Sequence, residues 1–390
     1  MCCSKLPALS SVTVFENQFR ISTRAAGPCS RIVGKKTMTA AVTSTSLPGA
    51  PVRSALPEGF RSVGRSGLVV SEVGIGASTF GRTGMIADTQ ESVDRIVGRA
   101  LDLGITYFDI ADVYGDRPGQ SETMLGEALG NRRDQVVIGT KFGIGLAGLN
   151  GPDWGVRGSR RYIRLAVEAS LRRLRTDWID LYQIHTPDPV TPIEETLSVL
   201  DDLVREGKIR YLGNSNFAGW QIADAEYVAR IHGHTRFISA TNEYNLLWRE
   251  PARELIPALD AYGLGFFPYF PLQNGLLTGK YRRDSVPAGR KITNLKKHLL
   301  DAAPWEALER YTEFARVRGI TPTALAFGWL LAHESVSSVI AGVTEPDQLD
   351  NNLAASRWRP TPAEFAELTT LFAGDLSGAP GQVTGPASRG

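Results

Sequence analysis

Cysteine is nearly missing from this 390-residue chain, and the three present, Cys2, Cys3 and Cys29, all fall at its beginning. Beyond Cys29 the sequence therefore offers no disulfide framework, no thiolate metal site and no cysteine nucleophile. That suits a reducing compartment, and a cytoplasmic location is expected. Long apolar runs are also missing: none approaches the roughly 20 residues that span a bilayer, so no membrane partner is expected. With a net charge of +2 there is no basic field to attract nucleic acid. The glycine-rich phosphate turn of an open doubly wound sheet is incomplete. Gly74-Ile75-Gly76-Ala77-Ser78-Thr79 has the first two glycines of that motif and lacks the third, and no helical pattern starts at once.

What is present is an ordinary globular composition, 42% hydrophobic and 22% charged. Residues 1–58 stand apart. They are rich in Ser, Thr, Ala and Pro, and Lys5, Arg20, Arg24, Arg31, Lys35 and Lys36 face a single acid, Glu16. Three readings stay open for this segment: a disordered tail, an organelle transit peptide, and an upstream extension of a chain starting at Met38. The Gly/Pro/Ser-rich segment 374–390 reads as a flexible tail, which leaves 59–373 as one folded domain.

That domain opens with a hairpin signal, Phe60-Arg61-Ser62-Val63 and Leu68-Val69-Val70 flanking Gly64-Arg65-Ser66-Gly67. Short apolar strands then alternate with amphipathic helices. The predicted strands are Glu72–Ile75, Tyr107–Asp109, Val136–Lys141, Ile179–His185, Ile209–Ser215, Ala240–Tyr244, Gly265–Pro271 and Val336–Ala341. The predicted helices include 89–103, 121–129, 160–173, 193–206, 218–231, 252–262, 321–333 and 346–354. In the third of these, Ile163, Ala166, Val167, Ser170, Leu171 and Leu174 share one face opposite a row of arginines. Eight strands, each followed by a helix, predict a single (β/α)8 TIM barrel of the α/β class.

Such barrels place chemistry at the C-terminal ends of their strands. Here Asp109, with Asp112 and Tyr114 beyond it, ends the second strand, Lys141 the third and His185 the fourth. Taken singly, each has an ordinary reading: a loop lysine, a packed histidine, a helix-capping acid. Together, at three successive strand ends, they would point into one mouth. The chemistry that wants this set is proton delivery to a carbonyl. Tyrosine, with a pKa near ~10, is a poor acid unless an ammonium stabilises its phenolate. A buried lysine needs a carboxylate, and a neutral histidine can orient a carbonyl oxygen. The set contains no nucleophile and no metal cluster, so the carbon must receive its electrons from elsewhere, and a nicotinamide hydride is the natural donor.

The segment Tyr107-Phe108-Asp109-Ile110-Ala111-Asp112-Val113-Tyr114-Gly115, followed by Ser121-Glu122 and Leu125-Gly126-Glu127-Ala128-Leu129, resembles the signature of the aldo-keto reductases, and the likeness runs from about Val63 to Leu371. The resemblance implies a barrel closed at its bottom by a hairpin. It also implies Tyr114 as general acid, Lys141 as the tuner of its pKa, Asp109 as the partner of Lys141, and His185 as the carbonyl-orienting group. Asp112 is left without a role.

For the cofactor, the resemblance implies that Ser215, Asn216 and Glu243 meet the nicotinamide carboxamide, with Glu243 standing where Gln is usual. Tyr269 would stack on the ring, with Phe270 in place of the usual Ser beside it. Leu272, Gly275 and Lys280 would strap the pyrophosphate, and Gly342, Thr344, Gln348 and Asn352 the adenosine end. Relatives that prefer NADPH often carry Lys or Arg where this chain has Val343, Thr344 and Glu345. NADP is the expected cofactor, and NAD the alternative. Phe80, Phe142, Trp154 and Trp248 are expected to rim the mouth for a small carbonyl substrate. A second reading, a nucleotide-binding regulatory subunit resembling potassium-channel β subunits, stays open. Oligomeric state is not legible.

Overall fold

A computed structural model describes residues 56–146, 148–285 and 297–372. The readings made of residues 1–55 and of the C-terminal tail lie outside the described residues. Strands β1 (Phe60–Ser62) and β2 (Val69–Ser71) form the expected antiparallel hairpin, with Arg61 opposite Val70. Its turn docks on the body of the fold, where Arg65 N–H donates to Gly263 O at 2.9 Å.

Eight parallel strands follow: β3 (Val73–Gly76), β4 (Tyr107–Asp109), β5 (Val137–Phe142), β6 (Ile179–Ile184), β7 (Ile209–Ser215), β8 (Phe237–Thr241), β9 (Gly265–Phe266) and β10 (Val339–Gly342). They pair in chain order from β3 to β9, and β10 returns to lie beside β3. The last seam closes along the segment leading into β10 and at β10 itself. Phe266 N–H donates to Ser335 O at 2.7 Å, Ser337 N–H to Phe266 O at 2.9 Å, and Ile340 N–H to Pro268 O at 3.3 Å. The sheet is thus closed on itself as a (β/α)8 barrel.

Three strands differ from expectation, the predicted strand 336–341 beginning only at Val339, with Val336 in an isolated bridge to Phe266. The predicted strand 240–244 lies at Phe237–Thr241, because beyond Thr241 only an isolated bridge between Glu243 and Tyr269 continues the pairing. The predicted strand 265–271 is two residues long. Pro268 and Pro271 have no N–H to offer a ladder. Three helices were not anticipated: Lys297–Asp301, Trp305–Val317 and Pro362–Leu371. The second buries Ala307, Leu308, Tyr311, Phe314 and Ala315, a spacing of plain helical period. The third opens with a capping box, Thr361 bonding Glu364 N–H while the Glu364 side chain accepts from Thr361 N–H.

Two apolar cores result. The larger fills the shell between the strands and the surrounding helices. The smaller lies inside the barrel, where Tyr107, Leu181, Phe267 and Ile340 rest on Val63, Leu68 and Val70 of the hairpin. The hairpin therefore plugs the bottom, and Tyr107 stacks on Phe267 at 4.5 Å between ring centres. Gly74 and Gly139 on the flanking strands leave the room: a Cβ at either would come within 2.7 Å or less of the Tyr107 ring or hydroxyl. With its lower half filled, the barrel has only its upper half open to chemistry.

In the outer shell, His333 packs edge-on to Trp329 and Phe365, and its Nε2 lies 3.2 Å from the Tyr244 hydroxyl. Burial, helped by Arg249, lowers its pKa to about 4. An unfolded histidine titrates near ~6.5, so His333 supports the fold fully above that value and progressively less as pH falls towards about 4. Equilibrium unfolding should show about 2–3 kcal/mol of stability lost across this window, and His333→Gln should flatten that part of the profile.

Candidate active site

β4 carries Tyr107 and Asp109 on the inner face, and β5 carries Gly139 and Lys141 there, because alternate residues of a strand share a face. Lys141 Nζ meets Asp109 Oδ2 at 2.7 Å and donates to Ile110 O at 2.9 Å, with the two side chains 2% and 5% exposed. Tyr114 sits on the loop from β4 to helix α2 (Gln120–Leu129), the helix after α1 (Gln90–Asp102), and is half-buried. Lys141 Nζ lies 5.4 Å from the centre of its ring, and the His185 imidazole stands edge-on to it at 5.8 Å. His185 is held directly after β6 by its backbone N–H, which donates to Phe142 O at 2.7 Å. Asp109, Tyr114, Lys141 and His185 are thus gathered at one mouth.

Electrostatics separates their states. Burial would discharge Lys141, but Asp109 and Tyr114 hold its pKa above the usual lysine value, so it stays an ammonium. Burial followed by the nearby Lys141 charge lowers His185 well below its ordinary range, so the imidazole is neutral. Burial raises the Tyr114 phenol, and Lys141 pulls against it without fully cancelling it. Tyr114 is therefore a protonated phenol at neutral pH.

The other sequence-marked residues line the same end. Asn216 takes a positive φ of 60° directly after β7, and its amide donates to His185 O at 2.9 Å and Ser215 Oγ at 3.1 Å. Tyr269 Oη donates to Asn216 Oδ1 at 2.9 Å, and Phe270 packs edge-on to Tyr269. Glu243 accepts from Gln273 Nε2 at 3.2 Å. Leu272 leads into the turn Gln273–Thr278, where Gly275 has φ 102°, and Lys280 beyond it is exposed. Gly342 is exposed at the tip of β10, and a Cβ there would meet nothing within 4 Å. The Thr344 backbone N–H next to it donates to Gln348 Oε1 at 3.0 Å. Asn352 is buried on helix Asp347–Ala355.

The aromatic rim is a partial correction. Phe80 and Phe142 are fully buried in the outer shell, and Phe142 stacks on Tyr182 at 4.7 Å on the outer face of the sheet. Neither can touch a ligand in the mouth. Trp154 is 73% exposed, on the loop after β5, with Arg161 4.6 Å above its ring. Trp248 is half-buried in a turn closed on Asn245.

The structure adds Gln183 to the set. It lies on β6 two residues before His185 and is fully buried. Its Oε1 accepts from Thr241 Oγ1 at 2.8 Å, while its amide Nε2 is buried with no hydrogen-bond partner among the described residues. Strand alternation from His185 would have found it.

Among the described residues no group of three or more His, Cys, Asp or Glu is arranged to hold a metal ion, and no helix is long and apolar enough to cross a membrane. Residues 72–372 match the aldo/keto reductase family. An uncharacterized oxidoreductase, YrpG, of Bacillus subtilis is 34% identical over 302 residues, covering 75% of this chain and 89% of that protein. A putative voltage-gated potassium channel subunit beta of Schizosaccharomyces pombe is 34% identical over 309 residues, covering 76% and 87%. L-glyceraldehyde 3-phosphate reductase of Escherichia coli O157:H7 is 33% identical over 310 residues, also covering 76% and 87%.

Proposed function

The chain belongs to the aldo/keto reductase family and is an oxidoreductase, and on that premise we propose that it reduces aldehyde or ketone carbonyls to alcohols with NADPH, using Tyr114 as general acid. The observation that carries this reading is the buried 2.7 Å contact of Lys141 with Asp109, set beside the Tyr114 ring and a neutral His185. Tyr114 gives its proton to the carbonyl oxygen. The Lys141 ammonium stabilises the phenolate left behind, and Asp109 holds that ammonium in place. His185, being neutral, donates a hydrogen bond to the same oxygen without competing as an acid.

When bound, the nicotinamide supplies the hydride that the protein's own groups cannot. The polar wall formed by Ser215, Asn216, Glu243 and Tyr269 suits a carboxamide, with Phe270 behind it. Leu272, Gly275 and Lys280 suit the pyrophosphate. At the far end, the Thr344 N–H now met by the Gln348 carboxamide oxygen is a donor that an anion can take over. With the open backbone at Gly342 and with Asn352, it makes the adenosine end of the cradle. Trp154 and Trp248 are the aromatic groups offered to a small carbonyl substrate. The reading takes 59–373 as one catalytic domain working in the cytoplasm.

Purified protein should oxidise NADPH with 4-nitrobenzaldehyde or methylglyoxal, and fluorescence titration should give tighter binding of NADPH than of NADH. Tight cofactor binding with no turnover on any carbonyl would replace this reading by a regulatory one, in keeping with the relative named as a channel subunit. Tighter NADH binding would overturn the cofactor choice alone.

A further inference from the structure

The signature segment holds a second buried carboxylate that proton delivery does not use. Asp112 is fully shielded from solvent. Its Oδ2 accepts from Asn150 Nδ2 at 3.2 Å, and its backbone N–H donates to Lys141 O at 3.2 Å. Asn150 belongs to the loop between β5 and helix α3 (Arg160–Leu174), and its Oδ1 accepts from Arg173 Nη1 at 3.2 Å. Arg173 gives its Nε to Glu122 Oε2 at 2.7 Å, and Glu122 Oε1 accepts from Thr140 Oγ1 at 2.5 Å. A continuous chain of hydrogen bonds thus runs from Thr140 through Glu122, Arg173 and Asn150 to Asp112.

The charges in this chain do not balance. Two carboxylates share one guanidinium, and Arg173 touches Glu122 directly but reaches Asp112 only through the neutral Asn150. The other groups around Asp112 do not supply the missing cation. Lys141 on β5 is committed to Asp109, and Tyr114, Tyr162 of α3 and Tyr182 of β6 are phenols raised by burial. Asp112 Oδ1 is buried with no hydrogen-bond partner among the described residues. A carboxylate in that position would leave charge both unpaired and unsolvated, whereas a carboxylic acid would not. Burial and then Glu122 push the Asp112 carboxyl well up, with Arg173, Asn150 and Lys141 opposing.

We propose that Asp112 is a positioning residue that works in its protonated form, as a neutral tie between the strand tip that carries Tyr114 and the loop that carries Asn150. Glu122 captures the positive charge of Arg173, and so keeps a second negative charge away from the reacting phenol. An ionised Asp112 would make the Tyr114 phenol harder to ionise. The kinetic part of this inference rests on Tyr114 as the proton donor, and the protonation of Asp112 does not.

Infrared difference spectroscopy at mildly alkaline pH tests the protonation without any assay of turnover. Wild type minus Asp112→Asn should show one carbonyl stretch of a protonated carboxylic acid. Glu122→Gln should lose the same band, because Arg173 is then free to pair with an ionised Asp112. A difference confined to carboxylate bands overturns the proposal. Kinetics test the tie. Asp112→Asn, which keeps the shape and the hydrogen bond, should hold kcat/KM within about threefold, while Asp112→Leu should lose about tenfold or more. Equal values for the two variants overturn it. In Glu122→Gln the alkaline limb of the kcat/KM profile should move to higher pH, and adding Asp112→Asn should move it back. A limb that stays in place removes the electrostatic link. If Asp112→Leu does not fold, the infrared comparison of the two isosteric variants still decides the protonation. Absence of carbonyl turnover in the wild type would sink the proposed function and leave the infrared result standing.

Discussion

Tyr114→Phe yields a folded barrel whose kcat for carbonyl reduction falls by about 10³-fold, a barrier increase of ~4 kcal/mol. Only the phenol oxygen is lost. The ring keeps its half-buried place beside Lys141 and His185, so thermal unfolding and cofactor binding should stay near wild type. Single-turnover kinetics with NADPH separates the chemical step from binding. Retention of more than about a tenth of the wild-type rate would remove Tyr114 from the role of proton donor. The pH profile carries the same logic. A general acid must be protonated to act, and burial raises this phenol despite Lys141. The rate of reduction should therefore hold through neutral pH and fall only as pH rises into the alkaline range.

The second large effect concerns the ion pair under the tyrosine. Lys141→Met leaves Asp109 buried without its cation, and should cost about 3–5 kcal/mol of folding stability along with nearly all activity. Asp109→Asn leaves the ammonium buried without its countercharge, still donating to Ile110 O, and should also destabilise. The double variant removes both charges, so it should recover part of the stability while staying inactive. Urea unfolding of the four proteins gives the coupling directly, and additive losses in the double variant would mean the pair is not a unit. The sign of the pH effect is also set. Without Lys141 the Asp109 carboxyl rises further above its ordinary value. Its contribution in the Lys141→Met protein is then fullest at acid pH, below about 4, and is lost as pH rises.

Much of the candidate catalytic set is legible because it sits where strand periodicity breaks. Tyr107-Phe108 is a buried strand, and Asp109 follows with no packing reason to be there. Lys141 and His185 interrupt apolar strands in the same way. The number of strands and the hairpin were readable from alternation and turn chemistry. The exceptions follow from the alternation of side chains along each strand and from competing local signals. Phe142 is next to Lys141 in sequence and for that reason faces the opposite side of the sheet, so alternation already excluded it from the mouth. Gln183 shares its face with His185 by the same rule. The place of β8 was readable too, since Phe237-Ile238-Ser239 is more strand-like than Asn242-Glu243-Tyr244.

Asp112 marks the limit. Local pattern shows an acid two residues before Tyr114 and no more. Its environment is assembled from Glu122 on α2, Asn150 on a loop and Arg173 on α3, which lie 10, 38 and 61 positions further along the chain. Sequence alone determined which residue types stand at the strand tips, because chain order and the period of the strand place them there. The tertiary structure alone decided which of them carry charge. Ionisation depends on how many countercharges a buried group can reach, and that count exists only after distant elements have packed.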